Sequence, residues 1–276
     1  MRIRIDYTTR YDYALPASHV VQLLRVQPRA TEDQHILSWR LEVDADGSLR
    51  SGFDVYGNIT HIFYAERALD SLTLRVTGEV STFENHGVVR GSIEPMQPLL
   101  FRRTTPLSAP DAALRGFAAE HRRDDTLSTL HALLTGIHGT MTFDAEATGT
   151  GTDAVTAFGL KRGVCQDFSH IFLACARHLE IPARYVSGHF VQQDSSVIEP
   201  AGHAWVEAWD DTLGWVGFDP TNGISVTEAY VRVAVGHDYI AAAPVRGARR
   251  GGGDETMEVS VSAIDVASGQ SQSQSQ

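Results

Sequence analysis

Cys165 has the residue type and the setting of a nucleophile. It lies in Arg162-Gly163-Val164-Cys165-Gln166-Asp167-Phe168-Ser169-His170, and apolar residues then recur at Phe168, Ile171, Phe172, Cys175, Ala176 and Leu179. Spacing of three and four residues predicts a helix of about four turns, ending at Glu180 because Pro182 cannot continue it. A thiol in the first turn stands near the positive end of the helix dipole and near unpaired backbone N–H groups. Both favour the thiolate, the form that attacks a carbonyl carbon. By position alone, a small buried hydrophobe is an equal account of this cysteine.

Two later residues supply the rest of an acyl-transfer set. His203 opens Gly202-His203-Ala204-Trp205-Val206-Glu207-Ala208-Trp209, and Asp219 closes the run Gly214-Trp215-Val216-Gly217-Phe218-Asp219. Both alternate like strands, and Asp210 to Gly214 between them reads as a hairpin loop. If Trp209 pairs with Trp215, then His203, Trp205, Trp215 and Asp219 share a face. His203 then lies diagonal to Asp219, about 7–8 Å away along the backbone and within side-chain reach. A slip of one residue would put them on opposite faces. In the paired register Cys165 attacks, His203 takes and returns the proton, and Asp219 orients the imidazole.

Four segments carry a family resemblance: Gly163 to His170, Pro182-Ala183-Arg184-Tyr185-Val186-Ser187-Gly188, His203-Ala204-Trp205-Val206-Glu207, and Gly214 to Asn222. In this order they resemble the core of the bacterial transglutaminase-like proteins. Arg10-Tyr11-Asp12-Tyr13, Gly52 to Asn58 and Gly251-Gly252-Gly253 resemble the flanking regions of that family, so the likeness reaches to about Val266. The resemblance implies a papain-like cysteine–histidine–aspartate triad on a helix and an antiparallel sheet. Carried over residue by residue, the triad is Cys165, His203 and Asp219. The same core serves transglutaminases, peptidases, amidases and some inactive binding domains.

Other residues compete for these roles and fall short. His170 is five residues along the helix from Cys165, rotated about 140° from it, and reads as a packing or surface histidine. Asp167 suits the helix start, but a carboxylate two residues from a thiolate opposes its ionisation, so a capping or loop-fixing role is favoured. Trp205, Trp209 and Trp215 read mainly as packing residues, with Trp205 a candidate wall of the acyl site. The twelve histidines show no paired metal-ligand spacing and there is no EF-hand loop, so neither a metal nor another cofactor is expected. The glycines of Thr148-Gly149-Thr150-Gly151-Thr152 lack the flanking strand and helix of a phosphate-binding loop. The backbone N–H of Cys165 supplies one oxyanion donor; the sequence points to no second one.

The elements that must hold this set follow from periodicity. Residues 1 to about 105 read as β, with alternation at Arg2–Tyr13, Ile36–Val43, Gly52–Val55 and Leu72–Val80 and turn signals at Asp46-Gly47 and Gly57-Asn58. Thr104 to Pro110 reads as a proline-marked linker. Helices follow at Asp111–His121, Asp125–His138 and near Ala154–Phe158, with Leu127, Leu130, Leu134 and Ile137 on one stripe of the second. After the Cys165 helix come strands at Ala183–Phe190, His203–Trp209 and Trp215–Asp219, and a last strand at Thr256–Ile264. Gln192 to Ser196 is a polar loop suited to bordering a cleft, and the Ser-Gln repeat at the end reads as disordered.

The fold class expected is therefore α+β: an N-terminal antiparallel β domain over residues 1–105, a transglutaminase-like core with a C-terminal strand over 106–266, and a tail over 267–276. The chain has 276 residues, 42% of them hydrophobic, and a formal charge of −11. That balance argues against nucleic acid or an anionic membrane as partner. Met1 to Tyr7 alternates like a strand and lacks the apolar run of a signal peptide, and no run of about 18 apolar residues occurs. Two cysteines about 15 Å apart along one helix form no disulfide, so a cytoplasmic location is expected. Cys175 is also too far along the helix to resolve an oxidised Cys165, which disfavours a redox thiol protein. The activity expected is acyl transfer from a peptide or glutaminyl amide through a thioester, as a peptidase, an amidase or a protein-glutamine transferase. The alternative is a non-catalytic interaction module on the same core, whose mark would be a missing triad residue. The sequence is silent on oligomeric state.

Overall fold

The computed structural model describes residues 1–191 and 202–266; the polar loop expected at 192–196 and the tail from 267 lie outside the described residues. The first 82 residues give β1 (Arg2–Gln27), β2 (Gln34–Asp44), β3 (Gly47–Phe53), β4 (Ile59–Ala65) and β5 (Leu69–Thr82). Two 3-10 turns, Pro98–Arg102 and Pro106–Ser108, lead into α1 (Ala112–Glu120), α2 (Thr126–Thr140), β6 (Thr142–Phe143), α3 (Ala154–Leu160) and β7 (Arg162–Gly163). Then come α4 (Cys165–His178), β8 (Ala183–Phe190), β9 (His203–Asp210), β10 (Gly214–Asp219), β11 (Ile224–Ser225), β12 (Tyr230–Gly236), α5 (Tyr239–Ala242), β13 (Val245–Gly251) and β14 (Glu255–Asp265). The class is α+β, with an antiparallel β region followed by a helix packed on an antiparallel sheet.

The strands form two main sheets. One has seven strands, in the order β2-β5-β1-β4-β3 with β13 and β14 also on β1; the other has five, in the order β11-β10-β9-β8-β12. β1 runs well past the expected end at Tyr13. Its first half, Arg2 to Tyr13, lies between β5 and β14; its second half lies between β4 and β13. The change of partners falls where the register breaks between Asp12 and Ala17, around Pro16, which has no N–H to give a ladder. Opposite that bend Gly251, Gly252 and Gly253 all have φ between 62° and 93°, a backbone only glycine adopts freely, and they carry β13 into β14.

This pairing corrects one expectation. The final strand was grouped with the core of residues 106–266, yet it completes the N-terminal sheet, because β1 offers it an eleven-residue partner edge. The Thr104–Pro110 linker is exposed at Thr104, Pro106 and Ala109 but anchored at its centre. Leu107 and Ser108 are buried, and the Ser108 hydroxyl accepts a hydrogen bond from the buried Arg177 at 2.7 Å.

The layers are the seven-stranded sheet, the five-stranded sheet and the helices. Ile3, Ile5, Leu72, Leu74 and Val76 meet Val186, Trp205, Val231, Val233 and Val235 between the sheets. On the other face Ala183, Tyr185, Val206 and Phe218 meet Phe168, Ile171 and Phe172 of α4 and the apolar stripe of α2. Complete burial of one such aliphatic or aromatic side chain contributes roughly 1.5–3 kcal/mol. Both faces of the five-stranded sheet are thus covered, and α4 is buried along nearly its whole length.

Candidate active site

Cys165 is the first residue of α4 and is partly exposed. The turn that delivers it is fixed from several sides. One carboxylate oxygen of Asp167 accepts the Val164 N–H at 2.8 Å and the Thr148 hydroxyl at 2.6 Å. The Gln166 side chain donates to the Thr150 carbonyl at 3.1 Å. The Thr148–Thr152 segment is therefore a brace against the first turn of the helix. Gly163 is required here, because a Cβ at that position would overlap the Asp167 carboxylate. Asp167 is fully buried, and burial pushes its carboxyl up against the pull of its hydrogen bonds. It fixes the loop, in line with the role favoured for it.

His203 opens β9, opposite Gly188 of β8. Trp215 pairs with Trp209, the register on which the diagonal placement of His203 and Asp219 depends. His203 Nε2 and Asp219 Oδ2 are 2.7 Å apart, with side-chain exposures of 3% and 0%. Cys165 also acts on the imidazole, through a side-chain hydrogen bond and its charge. Burial alone would lower the pKa of His203. The Asp219 charge, its hydrogen bond and the Cys165 sulfur outweigh burial and hold the imidazolium well above its ordinary range. Phe190 at 5.3 Å and Trp205 at 6.2 Å, centroid to centroid, flank the ring and keep it in an apolar surround.

Asp219 stands at the end of β10 and is saturated with donors. Oδ1 accepts the backbone N–H groups of Thr221 at 2.9 Å and Asn222 at 3.2 Å. Oδ2 faces His203 and also accepts the Asn222 side-chain amide and the Tyr230 hydroxyl, each at 2.7 Å. Burial alone would raise this carboxyl; the His203 charge and these hydrogen bonds together lower it.

The structure thus brings Cys165, His203 and Asp219 together from α4, β9 and β10. It keeps His170 apart, in the core, where its Nε2 accepts the Tyr239 N–H at 3.2 Å and burial lowers it to about 4. Cys175 is wholly buried, and burial pushes its thiol up to about 12. Trp205 is packed between the sheets, and Trp215 lies under the guanidinium of Arg184 at 3.9 Å. Among the described residues no group of three or more His, Cys, Asp or Glu side chains is gathered as metal ligands. Sequence reasoning gave no role to Asn222 or Tyr230. Asn222 stands in one of the quoted segments, whereas Tyr230 lies eleven residues from Asp219 at the head of the alternating run Val231-Arg232-Val233-Ala234-Val235; the alternation marks a strand, but only the sheet pairing brings its phenol to Asp219.

Residues 115–220 match the transglutaminase-like superfamily, and residues 3–81 match the bacterial transglutaminase-like N-terminal region. An uncharacterized protein of Mycobacterium leprae is 29% identical over 279 residues, which cover 94% of this chain and 97% of that one. A protein-glutamine gamma-glutamyltransferase of Pseudomonas aeruginosa is 28% identical over 124 residues, 39% of this chain and 18% of that protein. The crystal structure of a proposed cysteine protease from Cytophaga hutchinsonii superposes with a TM-score of 0.76 at 22% identity, covering 96% of this chain and 91% of that one, a likeness of fold.

Proposed function

This chain belongs to the bacterial transglutaminase-like proteins, and from that premise we propose that it is a cysteine-dependent acyl-transfer enzyme that opens a peptide or glutaminyl amide through a thioester on Cys165. One observation carries the reading: a buried His203–Asp219 pair at 2.7 Å that meets a partly exposed thiol at a helix start.

The steps follow from the geometry. Cys165 gives its proton to His203 and its sulfur adds to the amide carbonyl carbon. The carbonyl oxygen gains the negative charge and is met by the Cys165 backbone N–H at the positive end of α4. The C–N bond breaks as His203 returns the proton to the departing amine, which leaves the acyl group on sulfur. Water or a second amine then gives a proton to His203 as it attacks the thioester, and the sulfur leaves as thiolate. Asp219, held by its own donors, keeps the imidazole aimed and stabilises its charged form throughout.

Hydrolysis is the outcome we carry forward. Water reaches any open thioester, whereas transfer requires an amine positioned to compete with solvent. Two free cysteines suit a reducing compartment. The test offers the purified protein a library of glutamine-containing and other amide peptides, with and without a labelled primary amine, read by mass spectrometry. Gain of water with cleavage is expected, and its loss in Cys165→Ala assigns it to this site. Dominant incorporation of the label at millimolar amine would make the enzyme a transferase. No product, together with an unreactive Cys165, would replace the enzyme reading with that of an interaction module.

A further inference from the structure

The Tyr230 hydroxyl donates to Asp219 Oδ2 at 2.7 Å in a buried setting, on the same oxygen that faces His203. Its ring packs on Phe190 at 4.5 Å and Trp205 at 5.3 Å and stands 6.0 Å from the His203 ring. These contacts leave the phenol oxygen aimed at the carboxylate. Tyr230 is the first residue of β12, an edge strand of the five-stranded sheet.

β12 in turn is held by the other sheet. Gln34 of β2 accepts the Arg232 N–H at 2.8 Å and donates to the Arg232 carbonyl at 2.9 Å. Asn58 does the same for Val235, accepting its N–H at 2.8 Å and donating to its carbonyl at 2.7 Å. Two side-chain amides thus stand in for a neighbouring strand on either side of the register shift between Arg232 and Ala234. The connection runs from the seven-stranded sheet, through β12, to the phenol and then to the carboxylate.

We propose that Tyr230 is a positioning residue of the active site, whose hydroxyl, placed by the N-terminal sheet through β12, takes up part of the Asp219 charge and so sets how firmly His203 keeps its proton. A hydrogen bond donated to a carboxylate oxygen disperses its charge and weakens it as an acceptor for a second donor. Asp219 keeps the Asn222 amide and two backbone N–H groups when the phenol is removed, so it stays oriented while its charge toward His203 grows. Among the described residues, the titratable groups that face His203 are Asp219 from β10, Cys165 from α4 and Tyr230 itself from β12, while Gly188 and Phe190 of β8 carry no charge; of these, Asp219 is the one whose Oδ2 the imidazole and the phenol share. Asp219 is therefore the route by which Tyr230 acts.

This inference rests on the reading of Cys165, His203 and Asp219 as the catalytic set, and its test is separate from the test of that reading. Full-length protein labelled in its histidine rings is titrated by NMR, with His203 assigned by the resonance lost in His203→Gln. Tyr230→Phe keeps the ring and its packing and removes the hydroxyl that donates to Asp219. It should raise the His203 pKa by about half a unit or more, with the fold checked by circular dichroism. Asn222→Ala, which strips the other side-chain donor from the same oxygen, should shift it the same way and serves if Tyr230→Phe does not fold. An unchanged or lowered His203 pKa in a folded variant overturns the proposal. Iodoacetamide reactivity of Cys165 in the parent protein judges the catalytic reading independently.

Discussion

At the scale of single residues the two thiols stand in opposite environments. Cys165 is partly exposed at a helix start and touches an imidazole; Cys175 is buried ten residues on, with its thiol pushed up to about 12. Iodoacetamide should therefore modify Cys165 at neutral pH and leave Cys175 untouched while the fold is intact, as peptide mapping would show. His203→Ala should slow the modification of Cys165 at least about tenfold. Asp219→Asn should slow it less, because the base is misaimed but present. Equal labelling of both thiols, or an unchanged rate in His203→Ala, would break the proposed Cys–His pair. The three residues were legible in the sequence because each sits beside a strong local signal: a glycine before a helix, the start of an alternating run, and an Asp-Pro turn. Tyr230 was not, since its significance depends on a neighbour that only strand pairing supplies.

At the scale of elements, legibility followed periodicity. α2 and α4 carry long apolar stripes and were found, as was the β9–β10 hairpin with its register. β4 and the second half of β1 were missed: Ile59–Ala65 and Val20–Gln27 mix apolar with polar residues that become buried only by tertiary pairing, among them Gln22, Arg25, Thr60 and His61. β12 was missed although Val231, Val233 and Val235 alternate; among the described residues its outer edge is met by the side chains of Gln34 and Asn58. Those amides invite a direct measurement. Asn58→Ala leaves the Val235 N–H and carbonyl without partners and should cost about 3 kcal/mol, from two buried polar groups at roughly 1–3 kcal/mol each. Urea denaturation would read this as a lower midpoint with an unchanged slope. A midpoint within error of the parent would mean that β12 does not depend on this clamp.

At the scale of the whole molecule, two buried histidines tie stability to acidity. His170 and His189 are both lowered by burial to about 4, from an ordinary value near 6.5. Between those values the unfolded chain takes up protons that the folded protein refuses, so stability is full above about pH 6.5 and falls as the pH drops toward 4. Each histidine contributes roughly 3 kcal/mol to that fall. Thermal melting at pH 7.5, 5.5 and 4.5 should show a progressive drop in midpoint, and His189→Phe should remove about half of it. A midpoint constant from pH 7.5 to 4.5 would exclude buried neutral histidines as the cause. The five-stranded sheet shares one apolar layer with the seven-stranded sheet and another with the helices, so all three layers should melt in a single transition.

The partners of β1 set a timetable for biosynthesis. One edge of β1 is taken up early by β4 and β5, while the other waits for β13 and β14, whose residues leave the ribosome much later. The wait spans more than 200 residues, which at about 5–20 residues per second is roughly ten to forty seconds. Throughout that interval a nascent chain presents an unpaired strand edge, the feature most apt to recruit chaperones or to aggregate. The sheet that anchors β12 is closed only when translation has passed Asp265, so Cys165, His203 and Asp219 come fully into register only after β14 has been made.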